Sequence, residues 1–423
     1  MKRLLFLATA LLVVSSLGIS GGAFAQEPIL IGIPTSLMHI DGKECRQAVE
    51  LAVEEINAKG GVKVGNAKRL LKTEAIDTRD SSPGVPVSEV LLGIEKIITE
   101  KKVNAIVVGP FRSEALLAAM DILAKYKMPM LGTIAMSPQS EVRIKEQPDK
   151  YKYVFRVCLN ARYLVGYLVQ TLGFMKKDFG TNKLFFLHQD VLWAKATAEG
   201  VSKLAAEKLG YEVVGTQAFP TGTSDFSAGL AKARISKAQV IMPIFDMDQS
   251  GILPKQWQSM RIPSMLAGFI SPMAGPGAWK TFEGKIGGTI NVNFELGSAI
   301  CPVKYEPAMK FCEAYAKKFG VPLEGGHGAA PSYDAVYILA EAIERAGTLD
   351  PDKLVEELKK TDRPGVIGRI KFDDGNQVIY GDDPTKTACA AVAQWTADGK
   401  RHIVFPEAVA DGKIWVPDWV KTK

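Results

Sequence analysis

Histidines, cysteines and closely spaced acidic residues are the side chains of this sequence that could perform acid–base, nucleophilic or metal chemistry. Four histidines occur in 423 residues, and no two have the spacing of a metal site: His39, His188, His327 and His402. After residue 25 the sequence also lacks the G-x-S-x-G elbow, the G-x-x-x-x-G-K-[ST] phosphate loop and the H-E-x-x-H zinc motif, and no G-x-G-x-x-G follows the first strand. Hydrolase, NTPase and dehydrogenase activities lose their main support, so we predict no catalysis, no metal and no cofactor.

Five cysteines form the next chemically capable group, and none of them has C-x-x-C spacing. In an oxidising compartment some of them are expected to pair, and the odd count leaves at least one thiol over. The preferred pair is Cys301 and Cys312, eleven residues apart around a turn-to-helix stretch. Spacing alone does not fix the connectivity, so burial as a small apolar residue stays the alternative for each cysteine.

The first 25 residues have the pattern of a secretory signal peptide. Lys2 and Arg3 precede an apolar run at residues 4–17, and Ala23-Phe24-Ala25 supplies an A-x-A cleavage site. No cysteine near that site could carry a lipid, and no later run of about 18 apolar residues could span a bilayer. We predict a soluble periplasmic protein, cleaved near Ala25. Its formal net charge of +6, which includes Lys2 and Arg3, is spread along the chain and gives no argument for nucleic acid binding.

From residue 29 onward short apolar runs alternate with helical periodicity, which is typical of parallel strands joined by crossover helices. The first run is ILIGI at 29–33, and the helix after it ends at Gly60-Gly61. The alternation continues through VNAIVVG to YVFRV at 153–157. This first unit is predicted to be a doubly wound sheet of about 130 residues.

A second open α/β unit is predicted after residue 157, with strands at KLFFL, YEVVG, QVIMPIF, SMLAGF and GGTINVN. Three helices without intervening strands follow, at 306–319, 331–346 and 351–360, and we expect them to complete the first unit before the chain crosses again. No Pro-rich linker separates the halves, so short crossing strands are expected to join them. A cleft between the carboxyl ends of both sets of strands is a natural place for a small ligand.

Five segments, in this order and spacing, resemble the periplasmic leucine/isoleucine/valine-binding protein family, the type I solute receptors of branched-chain amino acid ABC importers. They are AVELAVEEINAKGGV (48–62), GPFRSEALLAAMDILAKYKMPML (109–131), YVFRV (153–157), FPTGTSDFSAGLAKARISKAQVIMPI (219–244) and PSYDAVYILAEAIERAG (331–347). The resemblance covers residues 29 to about 406. It implies the type I periplasmic-binding-protein fold, with two doubly wound α/β lobes, three crossing segments and a ligand cleft. We place lobe 1 at 26–157 and 296–373, and lobe 2 at 158–295 and 374–423.

The resemblance also implies where the first lobe touches the ligand. Ser113 stands at a helix start, where the family binds the ligand carboxylate with a hydroxyl and free amides. Arg112 departs from the family pattern and is either a bidentate carboxylate clamp or a solvated residue at the cleft rim. Met136 replaces the Thr of the family's Ala-x-Thr element, which leaves the backbone of Ala135 and the hydroxyl of Ser137 as contacts.

In the second lobe the resemblance implies a pocket for the ligand amine and an aromatic lining. Trp193 stands where the family often has Tyr, either covering the ligand or packing in the core. Asp246 is expected to meet the amine, and Asp248 or Gln249 to cap the following helix. Phe269 and Tyr333 are expected to line the pocket, with ordinary core packing as the alternative.

The resemblance implies a periplasmic solute-binding protein of an ABC importer. It would capture an amino acid or a related small carboxylate by closure of its lobes and deliver it to the inner-membrane permease. The alternative is a ligand-sensing receptor for an amine-free aromatic or aliphatic carboxylate, reporting to a partner protein. The sequence does not identify the ligand or the oligomeric state.

Overall fold

The computed structural model describes residues 27–422 and shows two α/β lobes; the predicted signal peptide, 1–25, lies outside the described residues. The first lobe begins with β1 (Ile29–Thr35), α1 (Ile40–Ala58), β2 (Val62–Val64), β3 (Ala67–Arg69), β4 (Leu71–Asp77), α2 (Val87–Thr99), β5 (Ala105–Val108), α3 (Ser113–Lys125), β6 (Met130–Gly132), α4 (Gln139–Glu146), α5 (Pro148–Tyr151) and β7 (Val154–Arg156). Its parallel sheet has the order β4-β1-β5-β6-β7. The β2–β3 hairpin and the short helices α4 and α5 are additions that the alternating pattern does not predict.

The second lobe repeats the strand–helix alternation, as predicted. It contains α6 (Ala161–Phe179), β8 (Lys183–Gln189), α7 (Leu192–Leu209), β9 (Glu212–Phe219), α8 (Ser227–Ile235), β10 (Val240–Phe245), α9 (Ile252–Ser259), β11 (Met265–Ile270), α10 (Ala278–Thr281) and β12 (Ile290–Asn293), with 3-10 turns at Asp248–Gly251 and Ser271–Met273. Strands β10 and β11 are buried along their whole length. This is what their apolar sequences favour, because helices cover both faces of such a sheet.

The last part of the chain visits both lobes. It forms α11 (Glu306–Phe319), α12 (Ala329–Ala346), α13 (Pro351–Lys359), β13 (Asp362–Gly365), β14 (Gly368–Lys371), β15 (Tyr380–Gly381), β16 (Ala388–Cys389), β17 (Ala391–Trp395) and β18 (Arg401–Phe405). The helix-only stretch is confirmed, and α12 packs along α1 of the first lobe. Strand β17 pairs antiparallel with β12, so the second sheet has the order β18-β17-β12-β11-β10-β8-β9. Strands β13 to β16 form a separate sheet, β13-β14-β16-β15.

The lobes are joined by three short segments that lie side by side, at residues 157–160, 294–298 and 376–390. Hydrogen bonds between side chains and backbone hold the segments together. The backbone N–H of Leu159 donates to the carboxylate of Glu295 at 3.1 Å, and the side-chain amide of Gln377 donates to the carbonyl of Cys158 at 2.8 Å. Glu295 and Gln377 are fully buried. The crossing region is therefore a compact polar hinge; the lobe bounds placed from the sequence stay a prediction.

A disulfide bond joins Cys301 and Cys312, which confirms the predicted pair. The other three cysteines, Cys45, Cys158 and Cys389, are free and buried. Burial raises the pKa of the Cys158 thiol to about 11 and that of Cys389 to about 12. These two thiols therefore stay protonated and unreactive at neutral pH.

No helix within residues 27–422 combines the length and the apolar character that a bilayer crossing requires.

Replacing both Cys301 and Cys312 by Ser should lower the free energy of unfolding by about 3 kcal/mol, because the bond restricts a short loop of the unfolded chain. Denaturant unfolding with and without reductant measures this effect. Reductant should destabilise the wild-type protein and leave the double variant unchanged. A wild-type protein that keeps its full stability after complete reduction would contradict the assignment of a stabilising role.

Candidate functional site

The cleft lies where strands of both lobes end. On the first-lobe side its residues follow the carboxyl ends of β1, β5 and β6, and on the second-lobe side those of β8, β10, β11 and β12. Loops converge at this edge of a parallel sheet, and helix amino termini point into it. An inner chamber of about 20 Å³, room for about one water molecule, is lined by Asp41, Phe111, Ser113, Ile134, Met136, Trp193, Asp246, Phe269, Phe294 and His327.

The lobes touch each other across this chamber. The ring of His39, at the start of α1, lies 3.2 Å from the backbone carbonyl oxygen of Asp246 in the second lobe. The hydroxyl of Ser271, after β11, donates to Asp41 at 3.3 Å. The structure is therefore a closed form of the cleft.

Two carboxylates from opposite lobes line the chamber. Asp41 is buried, and its Oδ1 atom has no hydrogen-bond partner among the described residues. Asp246 is half-buried, and its Oδ2 atom accepts a hydrogen bond from the indole N–H of Trp193 at 2.7 Å. Burial raises the pKa of both carboxyl groups, and the charge of Asp246 raises that of Asp41 further. A cation placed between them would lower the free energy of their ionised forms.

Aromatic rings form a large part of the chamber lining. Phe269 and Phe294 are stacked with ring centroids 3.9 Å apart, and Trp193 meets Phe269 edge-on at 5.9 Å. Trp193 and Phe269 thus lie where the sequence predicts an apolar lining. The indole N–H of Trp193 is already donated to Asp246, so the ligand would contact the ring rather than this donor.

A buried ion pair connects the chamber to the hinge. The Nδ1 atom of His327 lies 3.0 Å from Glu295, and its Nε2 atom lies 2.6 Å from the carbonyl oxygen of Ile134. Both ring nitrogens face acceptors, and only the imidazolium can donate both hydrogen bonds. Burial lowers the pKa of His327, but the charge and hydrogen bond of Glu295 outweigh it and raise the pKa above its ordinary value.

Helix α1 holds the loop that carries His327. The carboxyl group of Glu44 accepts hydrogen bonds from the backbone N–H groups of Glu324 and Gly325, at 2.8 and 2.9 Å. Burial raises the pKa of Glu44 to about 8. These two hydrogen bonds fix the loop, and with it the imidazolium of His327, relative to helix α1. Asp41 lies on the same helix, one turn before Glu44.

An internal carboxylate organises the loop before α3. Asp80 is fully buried and accepts hydrogen bonds from the backbone N–H groups of Phe111 and Arg112, both at 2.9 Å. The hydroxyl of Thr78 donates to the same side chain at 2.7 Å. The sequence predicts free amides here, but Asp80 already occupies two of them. A ligand carboxylate would have to use the first turn of α3 and the hydroxyl of Ser113, whose oxygen accepts from the N–H of Met136 at 3.3 Å.

The turn that aims this loop has an unusual backbone. Val108 has φ = 81° and Gly109 has φ = 76°. The left-handed region is unfavourable for a β-branched residue and costs on the order of 1–3 kcal/mol. At Gly109 a Cβ atom would lie 2.7 Å from the sulfur of Met130, so glycine is required there. Such strain is concentrated at functional sites.

Arg112 lies outside the chamber, in the mouth of the cleft. The mouth is a cavity of about 370 Å³ that shares Phe111, Trp193 and Asp246 with the chamber. The guanidinium group of Arg112 donates to the backbone carbonyl of Val85, and its Nε atom has no partner among residues 27–422. This placement fits the rim alternative better than a clamp on a ligand in the chamber.

Three predicted contacts lie away from both cavities. The hydroxyl of Tyr333 contacts Glu55 of α1 and Tyr337 of α12, and Tyr333 lines neither cavity. Ala135 packs in a core cluster of the first lobe, and the hydroxyl of Ser137 accepts from the backbone N–H of Gln139 at 3.3 Å. Their distance from the chamber follows from the turn after β6, which directs Met136 inward instead.

Neither Asp248 nor Gln249 caps the helix after β10, contrary to the expectation from the sequence. The 3-10 turn at Asp248–Gly251 has no side-chain cap, and Asp248 is exposed. Asp246 is left as the acidic residue of this loop that lines the chamber.

Sequence reasoning missed half of the chamber. Asp41, Phe111, Ile134, Phe294 and His327 line it without having been singled out. Asp41 could have been found from the sequence. It follows β1, and the carboxyl ends of β1 and β5 meet at the same edge of the parallel sheet, where Ser113 lies. His327 was set aside with the other histidines for want of metal spacing, and within residues 27–422 the structure contains no metal-ligand cluster.

Comparison with known proteins adds the family. A family model described as periplasmic binding protein matches residues 30–400. The Leu/Ile/Val-binding protein homolog 7 of Brucella suis is 24% identical over 437 residues, with 98% of this chain and 99% of the relative covered. This similarity confirms the resemblance found in the sequence.

Three solved structures have a similar fold. A protein from Silicibacter pomeroyi, described as a branched-chain amino acid ABC transporter, has a TM-score of 0.78 at 19% identity and covers 93% of this chain and 100% of its own. A branched-chain amino acid transporter substrate binding protein from Streptococcus pneumoniae, in complex with isoleucine, has a TM-score of 0.70 at 20% identity, covering 90% and 100%. A solute binding protein of an ABC transporter from R. palustris, in complex with benzoate, has a TM-score of 0.70 at 14% identity, covering 93% and 99%.

These likenesses confirm the predicted type I periplasmic-binding-protein fold. Proteins of this kind bind solutes and are not enzymes, which agrees with the prediction of no catalysis. Because the family model matches most of its length, this chain belongs to the periplasmic binding protein family.

Proposed function

We propose that this protein is a periplasmic receptor that captures an amino acid with an apolar side chain between its lobes and delivers it to the permease of an ABC importer. The observation that carries the proposal is the pair of carboxylates, Asp41 and Asp246, which line one chamber from opposite lobes. One oxygen of Asp41 has no partner among the described residues. An unpaired buried carboxylate is costly, and a ligand ammonium group would satisfy it.

The carboxylate and the side chain of an amino acid would also have partners in the same chamber. Ser113 can donate its hydroxyl proton to a carboxylate at the amino terminus of α3, where the helix dipole favours an anion. Trp193, Phe269 and Met136 provide an apolar surface for the side chain. The isoleucine bound by the similar protein of Streptococcus pneumoniae has this combination of groups.

Closure would couple binding to delivery. The chamber holds about 20 Å³ in the closed structure, so the lobes must separate for a solute to enter. Contacts to Asp41 on one lobe and Asp246 on the other would favour the closed state when a ligand is present, and the permease could distinguish loaded from empty protein by shape. Export by the sequence at 1–25 would place the receptor in the periplasm.

The second candidate is an amine-free aromatic acid. The stacked rings of Phe269 and Phe294 favour an aromatic ligand, and the similar protein from R. palustris binds benzoate. A carboxylate ligand would, however, meet the charges of Asp41 and Asp246. The two candidates therefore make opposite predictions for these residues.

Asp246→Asn should weaken leucine binding roughly a hundredfold or more, because it removes one partner of a buried charge pair. The Asn oxygen can still accept from Trp193, so the melting temperature should not fall. Isothermal titration calorimetry and thermal unfolding measure the two effects. Asp178→Asn is the matched control, since Asp178 is exposed near the end of α6 and lines neither the chamber nor the mouth of the cleft. Full affinity for leucine in the Asp246 variant would refute the amine-anchor role.

The affinity for leucine should fall as the pH is lowered from 7.5 to 5. Burial raises the pKa of Asp41 and Asp246 above the usual 3.8, so they become protonated, and lose their attraction for the ammonium, at a higher pH than exposed carboxyl groups. Calorimetry at several pH values checks this, with release of protons on binding as a second readout. An affinity that rises on acidification would instead support the amine-free acid.

A further inference from the structure

A second large cavity lies between the lobes, away from the cleft. Its volume is about 470 Å³, and it shares no residue with the chamber or the mouth. One wall comes from the β17–β18 hairpin of the second lobe, and the opposite wall from α11 and the loop after it. The lining residues are Pro276, Ala299, Ile300, Cys301, Cys312, Pro322, Leu323, Trp395, Gly399, Lys400, Arg401, His402, Ile403 and Asp411.

The guanidinium group of Arg401 has no counter-ion in this cavity. Among residues 27–422 it makes no hydrogen bond, and no carboxylate lies within 4.0 Å of it. Its Nη1 atom is completely buried, and its guanidinium carbon lies 5.3 Å from the ring centre of Trp395. A buried guanidinium nitrogen beside an aromatic ring and without a partner is unusual, since a buried charged group is normally hydrogen-bonded.

The charge of Glu324 partly offsets the effect of burial on the pKa of Arg401, but the two side chains form no hydrogen bond or ion pair with each other. Both carboxylate oxygens of Glu324 accept from the backbone N–H of Gly277, at 3.0 and 2.9 Å. Lys400 forms its ion pair with Asp398 at 3.0 Å. Burial lowers the pKa of Arg401 to about 10, so the group still carries its charge at neutral pH.

The one acidic group of the lining is also engaged. Asp411 accepts from the backbone N–H of Ile403 at 2.7 Å and lies 3.7 Å from the ring of His402. Asp411 is therefore committed to the turn after β18. Asp411 forms no ion pair with Arg401 among the described residues.

The rest of the cavity is apolar. Pro276, Ile300, Leu323 and the disulfide bond of Cys301 form walls that carry no charge. Trp395 is buried to 98% and presents its ring beside the guanidinium group. An occupant with a charged head and an apolar body would match both ends.

We propose that this cavity is a second binding site, which takes a ligand with an oxyanion group, carboxylate or phosphate, on Arg401. The planar guanidinium matches these groups with two parallel hydrogen bonds. Because the walls belong to both lobes, the occupant contacts both lobes at a place away from the cleft. The site is independent of the cleft ligand and does not rest on its identity.

Isothermal titration calorimetry of the full chain with hexanoate and with inorganic phosphate tests the proposal, with neutral hexanamide as the analogue of hexanoate. At least one anion should bind at concentrations up to about 10 mM, as expected of a weak site. Arg401→Gln should weaken that binding roughly ten- to a hundredfold. Arg401→Lys, which keeps the charge but loses the planar fork, should also bind less tightly than the wild type.

Two matched variants distinguish binding in this cavity from binding at the protein surface or in the cleft. Arg46→Gln removes a surface arginine paired with Glu50 on α1 and should bind the anion like the wild type. Trp193→Ala alters the cleft and should leave the anion affinity unchanged. Binding of phosphate alone would identify a bare oxyanion site and binding of hexanoate alone an organic-acid site, and both support the proposal.

Three results would overturn it. They are no binding of either anion, equal binding of hexanamide and hexanoate, and anion binding that survives both Arg401 substitutions. If Arg401→Gln fails to fold, Arg401→Lys decides, because it preserves the charge and most of the packing against Trp395. Loss of anion binding in Trp193→Ala with retention in the Arg401 variants would assign the anion to the cleft, and the proposal would fail.

Discussion

Two carboxylates that meet between the lobes set the main physical constraint on this molecule. Asp41 and Asp246 come from opposite sides of the cleft, and burial raises the pKa of each. The ring of His39 lies 3.6 Å from Oδ2 of Asp41, and Oδ1 of Asp41 has no partner among the described residues. In the proposed function, a ligand that supplies an ammonium group would also link the lobes, so that recognition would be coupled to closure.

Buried hydrogen bonds in the crossing segments fix the positions of the residues that line the chamber. Glu295 lies in a crossing segment, binds the backbone of another at Leu159, and pairs with His327 next to the chamber. The His327 ring then donates to the carbonyl of Ile134 in the first lobe. Removing one member of such a buried pair costs about 3–5 kcal/mol, whereas the pair itself adds little net stability. Its contribution is therefore to position the chamber wall.

Much of the fold could be predicted from the sequence, because apolar runs and helical periodicity report directly on buried strands and helices. The helix at 306–319 and the Cys301–Cys312 bond are examples. The site was predicted less well. Asp246, Trp193 and Phe269 line the chamber as expected, but Tyr333 faces α1, because a helix of known bounds still has several faces. Asp80 accepts a hydrogen bond from the backbone N–H of Phe111, just before α3. The two residues are 31 positions apart in the sequence, so no local pattern predicts this contact.

Calorimetric titration with leucine and with 4-methylpentanoate, which differs from leucine only by lacking the amine, tests the central claim most directly. The two ligands share the carboxylate and the apolar body, so the comparison isolates the cation. The account predicts that leucine binds at least roughly a hundredfold more tightly, because only its ammonium satisfies Asp41 and Asp246. Equal or tighter binding of 4-methylpentanoate would contradict the account.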